Sequence, residues 1–550
     1  MTYQRTSLPL SAALLVCFLL ASCASTPPET LEGSLDLIHE RALKRHVAWL
    51  AHDDREGRMT GEVGYDRAAE YVAERLASMG VEPMGVDGWY QPVSLRSYKA
   101  TGEASTFVLH AADGDEALVY REAFSVQPDP VKTSAQVRAE VVYVGYGVHA
   151  PDLGYSDYAG VDVSGKIVAL YGGAPEALDG ERRAFYASSS TKRAELVSRG
   201  AIETISLRFR KNEKDSPWEE VKKRIGNRAS MTWINKAGEA ARHFPEIRGQ
   251  AFVSPQAAEK LFASAPLSYE ESLDAMEAGT PASVSLGIEV TISGETTHAA
   301  LTSPNVVGIV RGTDPTLANE YVVYTAHLDH VGVREEDGKQ LIFNGAYDNA
   351  MGVALMLETA RAIAAVPPPR SVVFIAVTAE EKGLLGSDFF VNDPTVPRSA
   401  IVANINLDMP LFLYPVADLV AFGSENSTLQ GVVRVAANAE GFSLSPDPVP
   451  EQNLFVRSDQ YSFVQKGIPA IYLVPGFTSL DDDVDGEAVF RDHIKNHYHE
   501  PSDDMSRPVD WGSALRFARA HTRIGYAIAT DATRPTWLEG NFFGTRFAPP

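Results

Sequence analysis

Three apolar runs, each ending in residue types that bind metal, constrain this chain more than any other feature. Tyr321-Val-Val-Tyr-Thr-Ala leads into His327-Leu-Asp329-His330. Ser371-Val-Val-Phe-Ile-Ala-Val-Thr leads into Ala379-Glu380-Glu381, and Ala400-Ile-Val-Ala-Asn-Ile-Asn-Leu leads into Asp408. Between the first two stands Gly345-Ala-Tyr-Asp348-Asn-Ala-Met-Gly352, at the mouth of a predicted helix. Continuous Val/Ile-rich runs predict strands buried on both faces of a parallel sheet. Open α/β sheets build their sites at the carboxyl ends of such strands. The runs therefore predict one metal site assembled from several strand ends.

The surrounding pattern agrees. Strands are predicted at 306–311, 321–326, 371–378, 400–407, 418–423 and 468–474, alternating with helices at 349–365, 427–440, 458–466 and 509–530. Upstream, 35–50 and 64–79 carry helical periodicity, the second closed by Gly80 in the position after the helix. From about residue 95 short strands take over, clearest at 140–147 and 166–171, with a helix at 192–200. Much of 205–300 is polar and weakly periodic, apart from β-like alternation over 282–292. The chain is thus expected to be α/β, with a mixed, largely parallel sheet flanked by helices, split between 35–96 and 300–535. A β-rich domain is inserted at 97–299, and the aperiodic tail at 536–550 is expected to pack as an extended strap. Two glycine-rich stretches do not carry nucleotide chemistry. Ile167 stands where a P-loop beginning at Gly160 needs Ser or Thr, and Pro151 follows Gly145-Tyr-Gly147 where a helix should begin.

The N-terminus differs from the rest. Residues 1–22 carry one charge, Arg5, and an apolar run over 8–20, too short for a comfortable membrane span and suited to a signal-peptide core. The run closes with Leu20-Ala21-Ser22-Cys23, which resembles the lipobox of bacterial lipoproteins. That resemblance implies a signal peptide at 1–22, a lipid on Cys23, a Pro/Thr-rich tether over 23–34 and a place in the cell envelope. Ala24 and Ser25 lack the Asp that commonly signals inner-membrane retention, which favours the outer membrane in a diderm host. Cys17 and Cys23 are the only cysteines, so the mature protein would have no disulfide and must rely on core burial and bound metal. The net charge of −23 argues against a nucleic-acid partner. The acidic run 481–485 lacks the spacing of an EF-hand and is expected to be a solvated loop.

The ligand types define the chemistry. His327, Asp348, a Glu at 380–381, Asp408 and a late His offer imidazoles and carboxylates that suit zinc, with cobalt or manganese also fitting. Five protein ligands exceed the need of one tetrahedral zinc. A carboxylate shared by two ions about 3.5–4 Å apart resolves the excess, and Asp348, where the chain turns into a helix, is the best bridge. Of Glu380 and Glu381, adjacent residues pointing different ways, one can bind metal while the other serves as general base. Asp329 is placed to accept the second imidazole N–H of His327. The late His is one of His493, His497 and His499, which spacing does not separate, and His330 is expected outside the ligand set.

Taken together, Ala326-His-Leu-Asp-His-Val-Gly332, Ala346-Tyr-Asp-Asn-Ala-Met-Gly352, Thr378-Ala-Glu-Glu-Lys-Gly-Leu-Leu-Gly386, Asn406-Leu-Asp408 and Tyr498-His499-Glu-Pro resemble the M28 family of co-catalytic zinc peptidases. The resemblance covers about 35–96 and 300–530 and implies the zinc exopeptidase fold. It implies two zinc ions, with His327 and Asp408 on one, Glu381 and His499 on the other, and Asp348 bridging. It further implies Glu380 as base and Asp329 as orienting residue. The insert, with Tyr143-Val-Gly-Tyr-Gly147 and Asp162-Val-Ser-Gly-Lys-Ile-Val168, resembles the protease-associated domain often found in that family. The related M20 family places a lid domain between its Glu pair and the next ligand, but here only 27 positions separate Glu381 from Asp408. Arg457 and Tyr461, in a stretch that also resembles M28 members, are candidate substrate contacts; Arg457 suits a substrate carboxylate or a structural acid equally, and Tyr461 is expected first to pack and second to stabilise an oxyanion. The expected activity is that of an exopeptidase acting on peptides, an aminopeptidase first. The alternatives are a carboxypeptidase or dipeptidase of the same family, a glutaminyl cyclase, or a non-catalytic binding protein.

Overall fold

The computed structural model describes residues 1–2, 28–112, 114–226 and 229–548. Arg5, the apolar run 8–20 and Cys23 lie outside the described residues. Among the described residues, no helix is long and apolar enough to cross a membrane.

Strands Ser371–Val377, Tyr321–His327, Ile401–Asn406 and Ala470–Pro475 lie side by side and parallel at the centre of the main sheet. Asp418–Phe422 runs antiparallel beyond them, and the end of a long strand, Ser283–Val310, pairs antiparallel on the other side. The first three of these parallel strands are buried at every position, as their continuous apolar composition requires. Alternate residues face opposite layers. Val322, Tyr324 and Ala326 pack with helices Glu40–Leu50, Val63–Ser78, Met351–Ala365 and Trp511–Thr530. Tyr321 and Val323 face the second layer, which holds Leu385–Asn392, Gln460–Val464 and part of the insert. The register pairs His327 with Val377 and Thr325 with Asn406, so His327, the Glu380–Glu381 turn and Asp408 leave the sheet at one edge.

Several elements differ from expectation. The helix expected over 35–50 is two, Leu31–Leu35 and Glu40–Leu50, because His39 is extended between them. Leu385–Asn392 supplies the helix that, with a strand, is expected to fill the 27 positions between Glu381 and Asp408, and residues 385–391 are all buried. Gly486–Asn496 follows an acidic loop and begins where Asp485 accepts the N–H of Ala488 at 3.0 Å. The polar region 205–300 contains four helices of six to nine residues, Arg210–Asp215, Trp218–Arg224, Pro255–Phe262 and Tyr269–Glu277, so the insert is α/β rather than simply β-rich. The tail is a strap with a helical end, Phe542–Phe547, capped by Asn541 and anchored by the buried Phe543.

The two sheets are joined by one strand. Ser283–Val310 pairs with Ser134–Val144 and Thr106–Ala111 in the insert, then with Tyr90–Ala100 and Ser371–Val377 in the main sheet. The expected limits of the insert, at 96/97 and 299/300, fall inside this paired stretch, where Gln91 matches Asn305 and Ala100 matches Thr296.

His521, on Trp511–Thr530, is fully buried, with Nδ1 3.0 Å from the Phe517 carbonyl and Nε2 without a partner. Burial pulls its pKa down to about 4. An unfolded imidazole titrates near 6.5. Between those values the unfolded chain binds more protons, so this group's contribution to stability is intact above pH ~6.5 and lost as pH falls toward ~4. Denaturant titrations near pH 7 and near pH 4.5 should show His521→Leu gaining about 2–3 kcal/mol relative to the parent protein at the lower pH.

Candidate metal centre

Asp348 stands between two groups of side chains. Its Oδ1 lies 3.2 Å from His327 Nε2, which is 3.0 Å from Asp408 Oδ1. Its Oδ2 lies 3.1 Å from His499 Nε2, which is 3.0 Å from Glu381 Oε2. His330 joins the second group, with Nδ1 2.8 Å from Glu381 Oε1 and 3.7 Å from Asp348 Oδ2. The donor atoms of each group lie within 4.8 Å of one another. One carboxylate therefore presents one oxygen to each group, the arrangement a bridging ligand needs. Of the three candidate late histidines, only His499 reaches the centre. His493 packs its ring against Tyr347, and His497 meets Ser502 at 2.7 Å.

The electrostatics follow from crowding carboxylates in a buried place. Burial alone would push His327 down, yet Asp408, Glu380 and Asp348 hold it well above its usual range. Burial would also lower His499, but Asp348 and Glu381 beside it bring it up to about 10. Burial and Asp348 push Glu381 up, and His330 with His499 outweigh them, bringing it down to about 2. The imidazoles thus supply positive charge that the carboxylates require. The Arg58 guanidinium, 1% exposed, is committed to main-chain oxygens. It donates to the carbonyls of Leu328, Leu50, Asn344 and Gly345 at 2.6–2.9 Å. His499 Nε2 lies within 3.1 Å of two carboxylate oxygens without the angles of a hydrogen bond to either, and His330 Nε2 is buried without a partner. Oxygen and imidazole donors around such atoms, with no ammonium or guanidinium among them, fit zinc.

Glu380 belongs to neither group but lines the same cleft, and burial pushes its carboxyl well above the usual range. The expected contact of the Asp329 carboxylate with His327 is not made. His327 Nδ1 meets the main-chain carbonyl of Asp329 at 3.1 Å, because the chain turns after the strand and brings that carbonyl beneath the ring. The carboxylate instead accepts the main-chain N–H groups of Glu380 and Glu381, at 3.0 and 3.3 Å, and the Thr60 hydroxyl at 3.1 Å. Asp329 thus orients the imidazole through its main-chain carbonyl and the Glu pair through its carboxylate.

Other supporting residues escaped sequence reasoning. Asp503 accepts the N–H groups of Tyr347 and Asp348, both at 3.0 Å, and so fixes the backbone that carries the bridge. Ser458 donates to Asp408 Oδ2 at 2.5 Å. The backbone beside the ligands is also constrained: Ala379, Met409 and His499 hold φ of 55°, 40° and 57°. Left-handed non-glycine residues cost about 1–3 kcal/mol each and concentrate at functional sites.

The cleft has a volume of about 290 Å³. His327, Asp348, Glu380 and Asp408 line it together with Leu411, Leu413, Phe490, Ile494 and the expected Arg457. Tyr461 is elsewhere. Its helix turns it into the second core layer against Phe543, and the tyrosines that line the cleft are Tyr414, Tyr472 and Tyr498.

Residues 305–524 match the model of peptidase family M28. Aminopeptidase YwaD of Bacillus subtilis is 38% identical over 112 residues, 20% of this chain and 22% of that protein. A probable leucine aminopeptidase 2 of Aspergillus fumigatus is 26% identical over 268 residues, 47% of this chain and 48% of that protein. The chain spans less than half the length of these curated relatives. Among solved structures, an aminopeptidase from Aneurinibacillus sp. strain AM-1 superposes with a TM-score of 0.52 at 18% identity, over 92% of this chain and 97% of that chain. That likeness establishes the fold.

Asp503→Asn keeps the shape but turns an N–H donor toward one of the two main-chain donors it now accepts. Zinc titration against a competing chelator should show affinity weakened by about 10–100-fold, with secondary structure by circular dichroism unchanged.

Proposed function

We propose that this chain is a zinc-dependent exopeptidase, and most specifically an aminopeptidase that releases N-terminal residues from peptides. The observation that carries the reading is the pairing of two ligand groups through Asp348 with an uncommitted carboxylate, Glu380, in the same cleft. We assign two ions per chain, one to His327, Asp348 and Asp408, the other to Asp348, Glu381 and His499. When bound, zinc would polarise the scissile carbonyl and make water more acidic.

The residues then divide the work. Glu380 takes a proton from the attacking water as the water oxygen bonds to the carbonyl carbon. It returns that proton to the amide nitrogen as the C–N bond breaks. Asp329 keeps Glu380 and Glu381 in place through their N–H groups. The apolar wall of Leu411, Leu413, Phe490 and Ile494 receives a side chain of the substrate. Glu380→Gln should retain zinc by elemental analysis and lose activity on unblocked peptides by on the order of 10²–10⁴-fold. Full activity in the metal-loaded variant would remove Glu380 from this role.

One observation favours a second reading. Arg457, Arg491 and Lys495 also border the cleft, and cations suit a substrate carboxylate. A carboxypeptidase or dipeptidase would use them for the peptide's C-terminus. Peptides blocked at one end or the other separate the two: an aminopeptidase cleaves C-terminally amidated peptides and spares N-acetylated ones.

The proposal extends to location. Cys23 would carry lipid after removal of residues 1–22 and hold the enzyme in the cell envelope, in the outer membrane of a diderm host. Labelled palmitate should enter the parent protein in cells and be absent from Cys23→Ser.

A further inference from the structure

A second cavity, of about 220 Å³, lies between the insert and the peptidase domain and shares no lining residue with the cleft. Its charges are unusual for a chain of net charge −23. Arg193, Arg242 and Lys382 line it, against a single carboxylate, Asp129. Asp129 is already engaged, with Oδ1 accepting the N–H groups of Val131 and Lys132 at 2.7 and 2.8 Å. Arg242 pairs with Asp388 at 3.2 Å. Arg193 has no such partner. Its Nη2 donates to the amide oxygens of Gln127 and Gln250, at 3.1 and 2.8 Å, and it makes no ion pair among the described residues. His243 Nε2, also at this cavity, is buried without a hydrogen-bond partner.

A half-buried guanidinium facing only neutral acceptors is left without charge compensation, and its planar fork matches a carboxylate. Inorganic anions would satisfy the charge but not the rest of the wall, where Met231, Phe244, Ile247 and Leu385 are apolar. A cavity of about 150 Å³ accommodates benzene, so this one has room for an aliphatic group beside a carboxylate. We propose that the cavity binds a small organic carboxylate with an apolar side group, about the size of a free amino acid, its carboxylate on Arg193 in the positive field of Lys382 and Arg242. The assignment does not depend on the peptidase reading. The site touches the catalytic turn: Arg242 donates to the Gly383 carbonyl at 3.2 Å, and the N–H groups of Gly383 and Leu384 return to the Glu380 carbonyl at 2.8 and 2.9 Å. An occupant would therefore rest against the turn that presents Glu380.

Calorimetric titration of the zinc-loaded full chain with N-acetyl-leucine, N-acetyl-leucinamide and inorganic phosphate tests this. N-acetyl-leucine should bind, and N-acetyl-leucinamide, which lacks the carboxylate, and phosphate, which lacks the apolar body, should bind at least tenfold more weakly; the acetyl block keeps both leucine derivatives from being aminopeptidase substrates. Arg193→Met should weaken N-acetyl-leucine binding at least tenfold. Ala241→Phe, which fills the cavity without removing a charge, should do the same and serves if Arg193→Met does not fold. The proposal is overturned if N-acetyl-leucine does not bind the parent protein, or if phosphate or N-acetyl-leucinamide binds as tightly. It is equally overturned if the folded variants bind N-acetyl-leucine as the parent does, which would locate binding in the substrate cleft.

Discussion

Repulsion among buried carboxylates is the constraint on which this structure depends. Asp329, Asp348, Glu380, Glu381, Asp408, Asp459 and Asp503 gather at one end of the main sheet. Each needs compensation where water cannot supply it. Asp329 and Asp503 find it in main-chain N–H groups. Asp348, Glu381 and Asp408 find it in imidazoles that occupy the place of cations. Asp459 is left with burial pushing it up to about 7, and Glu380 rises as well. The strand ends bring the charges together, and the surrounding shell makes that concentration tolerable.

Arg58 is the mechanical counterpart of this charge balance. Its guanidinium ties the carbonyl after His327 to those of Asn344 and Gly345, just before the Asp348 turn, and to the end of helix Glu40–Leu50. Its own carbonyl accepts the N–H of His330. Two ligand-bearing loops are thereby fastened to an N-terminal segment that contributes no ligand. This explains why the peptidase layers include residues upstream of the insert at all.

The parallel strands and the ligands at their ends were legible in the sequence because each is a local pattern: an apolar run followed at once by His, Glu or Asp. The supporting shell was not. Asp503 meets the N–H of Asp348 from 155 positions away, and Arg58 meets Gly345 from 287, always through main-chain atoms that leave no trace in side-chain spacing. Asp329 was legible as the partner of His327, but not the atom, since spacing shows proximity to His327 and not which oxygen turns toward the ring. Tyr461 packs in the core, the role expected first for it, although a five-residue helix, Gln460–Val464, has no face that its sequence alone assigns. The short helices of the insert carry too few turns for periodicity to emerge from a polar background.

The strand Ser283–Val310 has a consequence for how the protein is made. Tyr90–Ala100 finds its main partner only in this strand, and Asn305 reaches Gln91 across 214 positions. During synthesis the first helices and their strand must wait, with an open edge, until the whole insert has left the ribosome. The insert has its own hydrophobic clusters, whereas the N-terminal helices pack on strands that come later still. Long-range pairing of this kind is slow and leaves strand edges exposed to other chains. The sheet whose strand ends carry the ligands is therefore complete only once residues from both sides of the insert have met.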